Sequence, residues 1–558
     1  MTIDLAEALA WHPALALLLG ALLAAVSRGV VRQVFWLAGP LLALWLSAQV
    51  PTGTAMTGSF LGYPLELLSG DPLRRLFAIL FSVAALAGTL YALGRARWYE
   101  LCAAQLYAAG ALGVAFAGDL ITLFLFWELM VIFSAVVIWC GGSEQARAAG
   151  LRYALLQLLA GIVLKIGIEA TMSHTGSGSL QALSLDHFGA WLILAGILVN
   201  AAAPPVSAWL TDAYPQASSS GAVFLSAFTT KSAVLMLIVL FPGTALLSWL
   251  GLIMLAYAIV YASRTDELRR VLAYALVGHV GLMLLAVGSG ASTAAAALAA
   301  AHLLFMPLLF IAAGLLREAG HERLRTLGGS GRSLPLTAAA ASIGALSLAG
   351  LPLTTGYSGL ALLDQDSLSL AQSLLLLAAL AGNWVILGLR LPFALYLQPA
   401  GGGDSAAAAV DRPARSALLL LATLTVIGGL LPRLLPGLPD ATYFSLAAIA
   451  GSLLALALGA VLFWLLRERL FREQASWPDT DWLWRVLLFG LASRSLDLIN
   501  RLDQQLRSTA LAALARFTER ARGWLATDGI ISRSWTIGIT ALWIVVLLSS
   551  YIIIYYLA

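Results

Sequence analysis

The chain has 558 residues, 61% hydrophobic and 11% charged, with a formal net charge of +4. A soluble domain carries roughly a quarter charged residues, so this chain has too little polar surface for water and is an integral membrane protein. Its apolar runs of about 20 residues exclude the short alternating strands of a barrel, and its scattered basic residues leave no stripe for nucleic acid.

In chain order the apolar windows fall at residues 13–28, 33–50, 74–94, 98–117, 119–141, 152–172, 188–203, 221–241, 244–263 and 271–290. Six more follow at 293–316, 334–355, 369–397, 416–432, 442–466 and 535–556, so an all-α polytopic protein with 14 to 16 transmembrane helices is expected. Counting arginines in alternate loops tests this division. Arg28 with Arg32, Arg95 with Arg97, Arg147 with Arg152, the loops 264–270 and 317–332, Arg412 with Arg415, and Arg467 onward all share one side. The positive-inside rule makes that side cytoplasmic and turns both chain ends outward; Arg74 and Arg75 are the exception. The opening residues 1–7 lack the basic region of a cleavable signal.

Residues 398–415 read as a flexible loop around Gly401-Gly-Gly-Asp404. Between 467 and 534 charges return at helical spacing among Leu, Trp and Ala, the pattern of an amphipathic helix lying along the membrane or a neighbouring subunit; a folded-back core helix is the other reading.

Cys102 and Cys140 lie in apolar text and read as packing. The basic residues are 30 arginines and two lysines, and both lysines, Lys165 and Lys231, sit inside apolar windows. Lysine is the basic side chain that loses its proton most readily on burial. Charges within spans are costly and therefore informative. Glu128, Lys165, Lys231, His279 and His302 lie well inside, Arg390 lies deep in the 369–397 window, and Glu169 is nearer a span end. An acid–base pair of Glu128 and Lys231 would lower the desolvation cost of both, either as a pump element or as a permanent packing pair. His279 and His302 suit either a proton relay or a core imidazole bonded to a carbonyl. Breaks in the apolar text at 203–215 and 348–356 point to hydrated cavities or to ordinary loops at the membrane face.

Catalytic readings fail. His321-Glu-Arg-Leu-Arg325 lacks the second histidine of a zinc protease, no Gly-rich loop precedes either lysine, and no Cys-x-x-Cys exists, so neither a metal nor a cofactor is expected.

The ordered set Asp119-Leu-Ile-Thr-Leu-Phe-Leu-Phe-Trp-Glu-Leu-Met130, Ser207-Ala-Trp-Leu-Thr-Asp-Ala-Tyr-Pro215, Leu225-Ser-Ala-Phe-Thr-Thr-Lys231 and Arg269-Arg-Val-Leu-Ala-Tyr274 resembles a known family. It is similar to the proton-conducting, antiporter-like membrane subunits shared by respiratory complex I and the Mrp-type cation/proton antiporters, above all to the Mrp branch of that family. The resemblance covers residues 75–400 or so. It implies two inverted five-helix repeats, 98–263 and 264–397, each with a broken helix. Around them it implies N-terminal helices over 1–97, further spans over 398–466, a lateral helix over 467–534 and a terminal span over 535–558.

By position, Glu128 and Lys231 match the family's acid and lysine pair. Arg269 or His279 matches the central relay, His302 the histidine of the second repeat, and Arg390 the basic residue of its broken helix. Asp212 and the Lys165–Glu169 couple are secondary candidates, the latter either a compensating site or an ion pair one turn apart. Met306-Pro307 and Leu360 stand where many relatives carry charge, which leaves the second half poorer in titratable groups. The resemblance implies a proton-translocating subunit of a multisubunit monovalent cation/proton antiporter in the bacterial inner membrane, with other membrane subunits, protons, and sodium or another monovalent cation as partners. The alternatives are a proton channel of a redox-driven complex I-like, hydrogenase or inorganic-carbon complex, and a non-conducting scaffold.

Overall fold

The structure, a computed structural model, describes residues 11–557 apart from 61, 364–367, 400–409, 435–442, 473–478, 481, 483–485, 487–488 and 526–536. The opening segment and most of the expected 398–415 loop lie outside the described residues. In chain order come α1 (Pro13–Val26), α2 (Gly29–Gln49), the strands β1 (Gly53–Phe60) and β2 (Tyr63–Gly70), α3 (Pro72–Ala92), α4 (Trp98–Phe116), α5 (Leu120–Trp139), α6 (Glu144–Thr175) and α7 (Phe188–Asn200). Then follow α8 (Ala208–Ala213), α9 (Ser219–Leu225), α10 (Thr229–Leu240), α11 (Ala245–Ser263), α12 (Leu268–Gly288), α13 (Ser292–Glu318), α14 (Ser330–Ser333), α15 (Pro335–Leu348) and α16 (Thr355–Ala361). The remainder is α17 (Leu370–Asn383), α18 (Arg390–Tyr396), α19 (Arg412–Leu430), α20 (Leu446–Leu470), α21 (Phe489–Leu525) and α22 (Ile537–Leu557).

Every one of the apolar windows holds a helix. Among the described residues twelve helices are long and apolar enough to cross a membrane, with α9–α10 and α17–α18 each counted as one. The helices α1, α7 and α15 are apolar but shorter, and α4 is a nineteen-residue helix buried along most of its length. The protein is an all-α polytopic membrane protein.

Local chemistry sets the boundaries. Asp119 caps α5, its Oδ1 accepting from the backbone N–H groups of Ile121 and Thr122 at 2.8 Å each, an arrangement worth about 1 kcal/mol. Ser143 caps α6 through the N–H of Ala146, and Gly176 ends it with a φ of 70°, a left-handed conformation that glycine adopts without steric cost.

The hairpin β1–β2, an antiparallel pair running from Gly53 opposite Gly70 to Phe60 opposite Tyr63, was not anticipated from the apolar pattern. It is bound to the same cap: Asp119 Oδ2 accepts from the N–H of Glu66 at 2.7 Å, and Gly118 N–H donates to the Glu66 carbonyl. The structure also accounts for Arg74 on the otherwise arginine-poor side. Its guanidinium pairs with Asp71 at 2.9 Å and donates to the Ala117 carbonyl, so it is a neutralised, largely buried tie.

Helices α12 and α13 and the α9–α10 pair are buried along their length. Helix α4 packs against α5, α9 and α10, and α13 packs against α3, α9, α10, α12 and α15. Two long apolar elements are interrupted. Residues 226–228 separate α9 from α10, and a π-helical segment, Trp384–Gly388, separates α17 from α18. The break read at 348–356 is real as well, with Gly350 and Leu353 both at positive φ between α15 and α16.

The chain divides into two compact units between residues 481 and 482; α20 runs to Leu470, and Asp479 is held by the first unit. In the second unit α21 is a 37-residue helix about 55 Å long, with exposed Leu496, Ile499, Leu502 and Leu506 and an Asp503–Arg507 ion pair at 2.8 Å. It is the expected amphipathic helix, followed by the expected terminal apolar helix α22.

Candidate functional site

The interruption between α9 and α10 leaves carbonyls without intrahelical partners in a region closed to bulk solvent. Lys231, in the first turn of α10 and fully buried, fills that need: its Nζ donates to the Ser226 carbonyl at 2.5 Å and to Thr230 Oγ1 at 3.1 Å. No proline or glycine marks the break, which is why the sequence placed an uninterrupted window there.

His279 on α12 and His302 on α13 come together beside it. Their rings stack with centroids 4.9 Å apart and planes 16° from parallel, and Phe305 meets both edge-on at 5.1 and 5.2 Å. Lys231 is within electrostatic reach of both imidazoles. His279 Nδ1 and both nitrogens of His302 are buried and lack a hydrogen-bond partner among the described residues. A core imidazole bonded to a carbonyl would have satisfied at least one of His302's nitrogens. Buried nitrogens of this kind call for water or a mobile proton.

The expected Glu128–Lys231 pair is not formed. Lys231 is committed to Ser226 and Thr230, whereas the half-buried Glu128 sets its Oε1 against Gly161 of α6 and has no partner among the described residues. A side chain at position 161 would displace that carboxylate, so the glycine makes its berth.

The arginines are anchors at the arginine-rich face. Arg269 Nη2 donates to the carbonyls of Tyr214, Ala217 and Ser218 at 3.3, 2.7 and 3.2 Å. It stands ten residues, about 15 Å, from His279 along α12, so the two relay candidates lie at different depths, and it is His279 that meets His302. Arg390 begins α18 after the π-helical segment and donates to the carbonyls of Ala262, Thr265 and Leu470 at 3.1, 3.0 and 2.6 Å. These carbonyls lie at or just beyond the ends of α11 and α20, so Arg390 binds helix termini.

Lys165 and Glu169 form an ion pair one turn apart on α6 with side chains a third to a half exposed, and Tyr63 of the hairpin donates to Glu169 at 3.3 Å. The ion-pair reading therefore accounts for Lys165. Asp212 accepts a two-pronged bond from Arg152 at 2.8 and 3.0 Å, tying α8 to α6. Outside the spans, Arg95 joins Glu318 and Asp411, each at 2.9 Å. Desolvation opposes its charge, but these hydrogen bonds outweigh it and hold the guanidinium above its ordinary value.

Sequence reasoning missed three polar sites. Glu100, 4% exposed, accepts from Ser218 and Ser220. Tyr107 OH meets Thr229 Oγ1 at 2.6 Å, and both residues are fully buried. Asp479 accepts from Thr211, Tyr257 and Tyr274 at 3.1, 2.7 and 2.6 Å. Glu100 lies at the head of an apolar window, where an acid reads as an exposed first-turn residue. Nothing in the sequence joins Asp479 to its three partners.

Among the described residues no group of three His, Cys, Asp or Glu could hold a metal ion. What the site does offer is a base, two imidazoles and broken backbone in a closed interior.

Comparison with known proteins follows the same lines. Residues 117–384 match the family model described as NADH:quinone oxidoreductase/Mrp antiporter, TM. An uncharacterized protein of Mycobacterium tuberculosis is 30% identical over 60% of this chain and 56% of its own length, so the chain spans little more than half of that relative. NADH-quinone oxidoreductase subunit N 1 of Sorangium cellulosum is 30% identical over 64% of this chain and 80% of its own. In fold, the chain resembles a chain in the structure of the Mrp complex from Dietzia sp. DQ12-45-1b, with a TM-score of 0.67 and 22% identity over 84% of this chain and 100% of that one. The matched segment contains Glu128, Lys231, His279 and His302. The chain belongs to the NADH:quinone oxidoreductase/Mrp antiporter family of membrane subunits.

Proposed function

We propose that this chain is the proton-translocating subunit of a multisubunit monovalent cation/proton antiporter, working beside other membrane subunits in a bacterial cytoplasmic membrane. The supporting observation is the gathering of Lys231, His279 and His302 in one buried cluster at a helix break, with imidazole nitrogens that no protein group satisfies among the described residues. In this reading 98–263 and 264–397 are the two inverted repeats, and the cluster lies where they meet.

A proton on Lys231 is held by the Ser226 carbonyl and the Thr230 hydroxyl. It leaves when a neighbouring charge or an opening of the break weakens that hold, and passes through water to His279 and His302. The stacked rings hold one charge at a time, because two imidazolium groups at 4.9 Å repel strongly in a dry interior. Glu128 acts next to Gly161, where its charge biases the first half without a direct bond to Lys231. Arg269 and Arg390 fix the helix ends around the two interruptions.

A redox-driven setting is the second reading, favoured by the relative named as an NADH-quinone oxidoreductase subunit. The cluster serves both; the driving partner differs. The test is vesicles containing the assembled complex, with Lys231→Met and Glu128→Gln introduced separately. The proposal expects Lys231→Met to abolish cation-driven proton movement and Glu128→Gln to slow it. Unimpaired movement in both variants would falsify it, and proton movement only with a quinone reductant present would transfer the chain to the redox setting.

A further inference from the structure

A buried carboxylate that the path above does not use stands at the arginine-rich end of the same break. Glu100 is the third residue of α4 and is 4% exposed. Its Oε1 accepts from both Ser218, the cap of α9, and Ser220, at 2.6 Å from the latter. Ser218 Oγ simultaneously accepts from the N–H of Gly221 at 2.8 Å, so the acid and the first turn of α9 share one hydroxyl.

On its other side the half-buried Ser218 meets Arg269. Its carbonyl takes the 3.2 Å bond from Arg269, and Arg269 borders a cavity of about 120 Å³ whose lining includes Gln216, Glu267, Arg317 and Glu322. Arg269 is 6% exposed, and its Nη1 has no partner among the described residues, a buried donor that a hydrated cavity would satisfy. The charged or titratable groups facing Glu100 are Arg97 before α4, Cys140 at the end of α5, and Arg269 through Ser218.

Two short runs lead inward from Glu100. Along α4, Tyr107 lies seven residues on, hence on the same face about 10 Å away, and its hydroxyl accepts from Thr229 N–H at the start of α10. Along α9, seven residues carry the chain from Ser218 to Ser226, whose carbonyl holds Lys231. One carboxylate is thus linked through Ser218 and Arg269 to the cavity, and through α4 and α9 to the lysine break.

We propose that Glu100 is the group through which Lys231 exchanges protons with the arginine-rich face, an inference that rests on the proton-translocating reading. A proton from cavity water neutralises the carboxylate, which becomes a carboxylic acid. That acid donates where it had accepted, so Ser218 or Ser220 must rotate its hydroxyl, loosening the first turn of α9. The same proton then moves through water along α4 and α9 to the amine of Lys231, restoring the carboxylate. No other bond forms or breaks, and no co-reactant is needed.

The experiment uses the assembled complex in vesicles with Glu100→Gln, Glu100→Asp and, as control, Lys231→Met. The expected result is a loss of proton transport of about 100-fold in Glu100→Gln, with the dependence on pH at the arginine-rich face flattened, and substantial recovery in Glu100→Asp. A Glu100→Gln complex that transports normally with an unchanged pH profile overturns the inference, provided Lys231→Met is inactive. Normal transport by Lys231→Met instead defeats the underlying functional reading. If Glu100→Gln does not assemble, infrared difference spectra of the parent complex and Glu100→Asp decide. A pH-dependent carboxylic C=O band that shifts between the two supports the role, and its absence overturns it.

Discussion

The imidazole of His279 lies ring over ring on that of His302, 4.9 Å between centroids, although the two residues belong to different helices and are 23 positions apart in sequence. Two groups so placed act as one site. Replacing either with glutamine is expected to slow proton transport by the assembled complex about 100-fold, and the double variant no further than the worse single one. A dye-based pH-jump assay in vesicles measures this; additive losses would show that the rings work independently.

Gly161 gives Glu128 its position. Gly161→Val is expected to push the carboxylate off α6 and reproduce the transport loss of Glu128→Gln without any change of charge, while Gly150→Val, against Trp139 on the same helix face of α6, is expected to affect packing only. Transport rates normalised to the amount of assembled complex distinguish the two.

Arg390 is a structural tie in this account. Arg390→Met leaves three carbonyls, two buried and one part-buried, without their donor, and a stability loss on the order of 3 kcal/mol is expected, measured as a fall in the unfolding midpoint in detergent. Arg390→Lys, which cannot span all three acceptors, is expected to fall in between.

Lys165→Met tests the opposite case. Its ion pair with Glu169 is a third to a half exposed, so stability should change by less than about 1 kcal/mol and transport should remain near the parental rate. A large transport loss would return Lys165 to the proton path.

The helices were legible because lipid demands long apolar runs, and each window from 13–28 to 535–556 holds one. The site was legible where rarity spoke: two lysines in the whole chain, and histidines inside apolar text. Facing directions were not legible. Helix α5 is apolar all round, so nothing in its periodicity tells that Glu128 turns to Gly161. The interruption at 226–228 was hidden for a related reason, since Ser, Ala and Phe carry no breaker signal and Lys231 itself supplies the missing partner. The hairpin β1–β2 escaped because it is pinned by Asp119, a residue about fifty positions downstream.

The central claim is that Lys231 gains and loses a proton in place. With only two lysines in the chain, selective ¹⁵N labelling of lysine side chains gives two signals, and Lys165→Arg removes one. Recorded on the assembled complex in bilayers, the remaining signal is expected to pass reversibly between its ammonium and amine positions as the pH is stepped across the transporting range. A signal fixed in one form at every pH, and unable to exchange its hydrogens with deuterated buffer, would contradict the account.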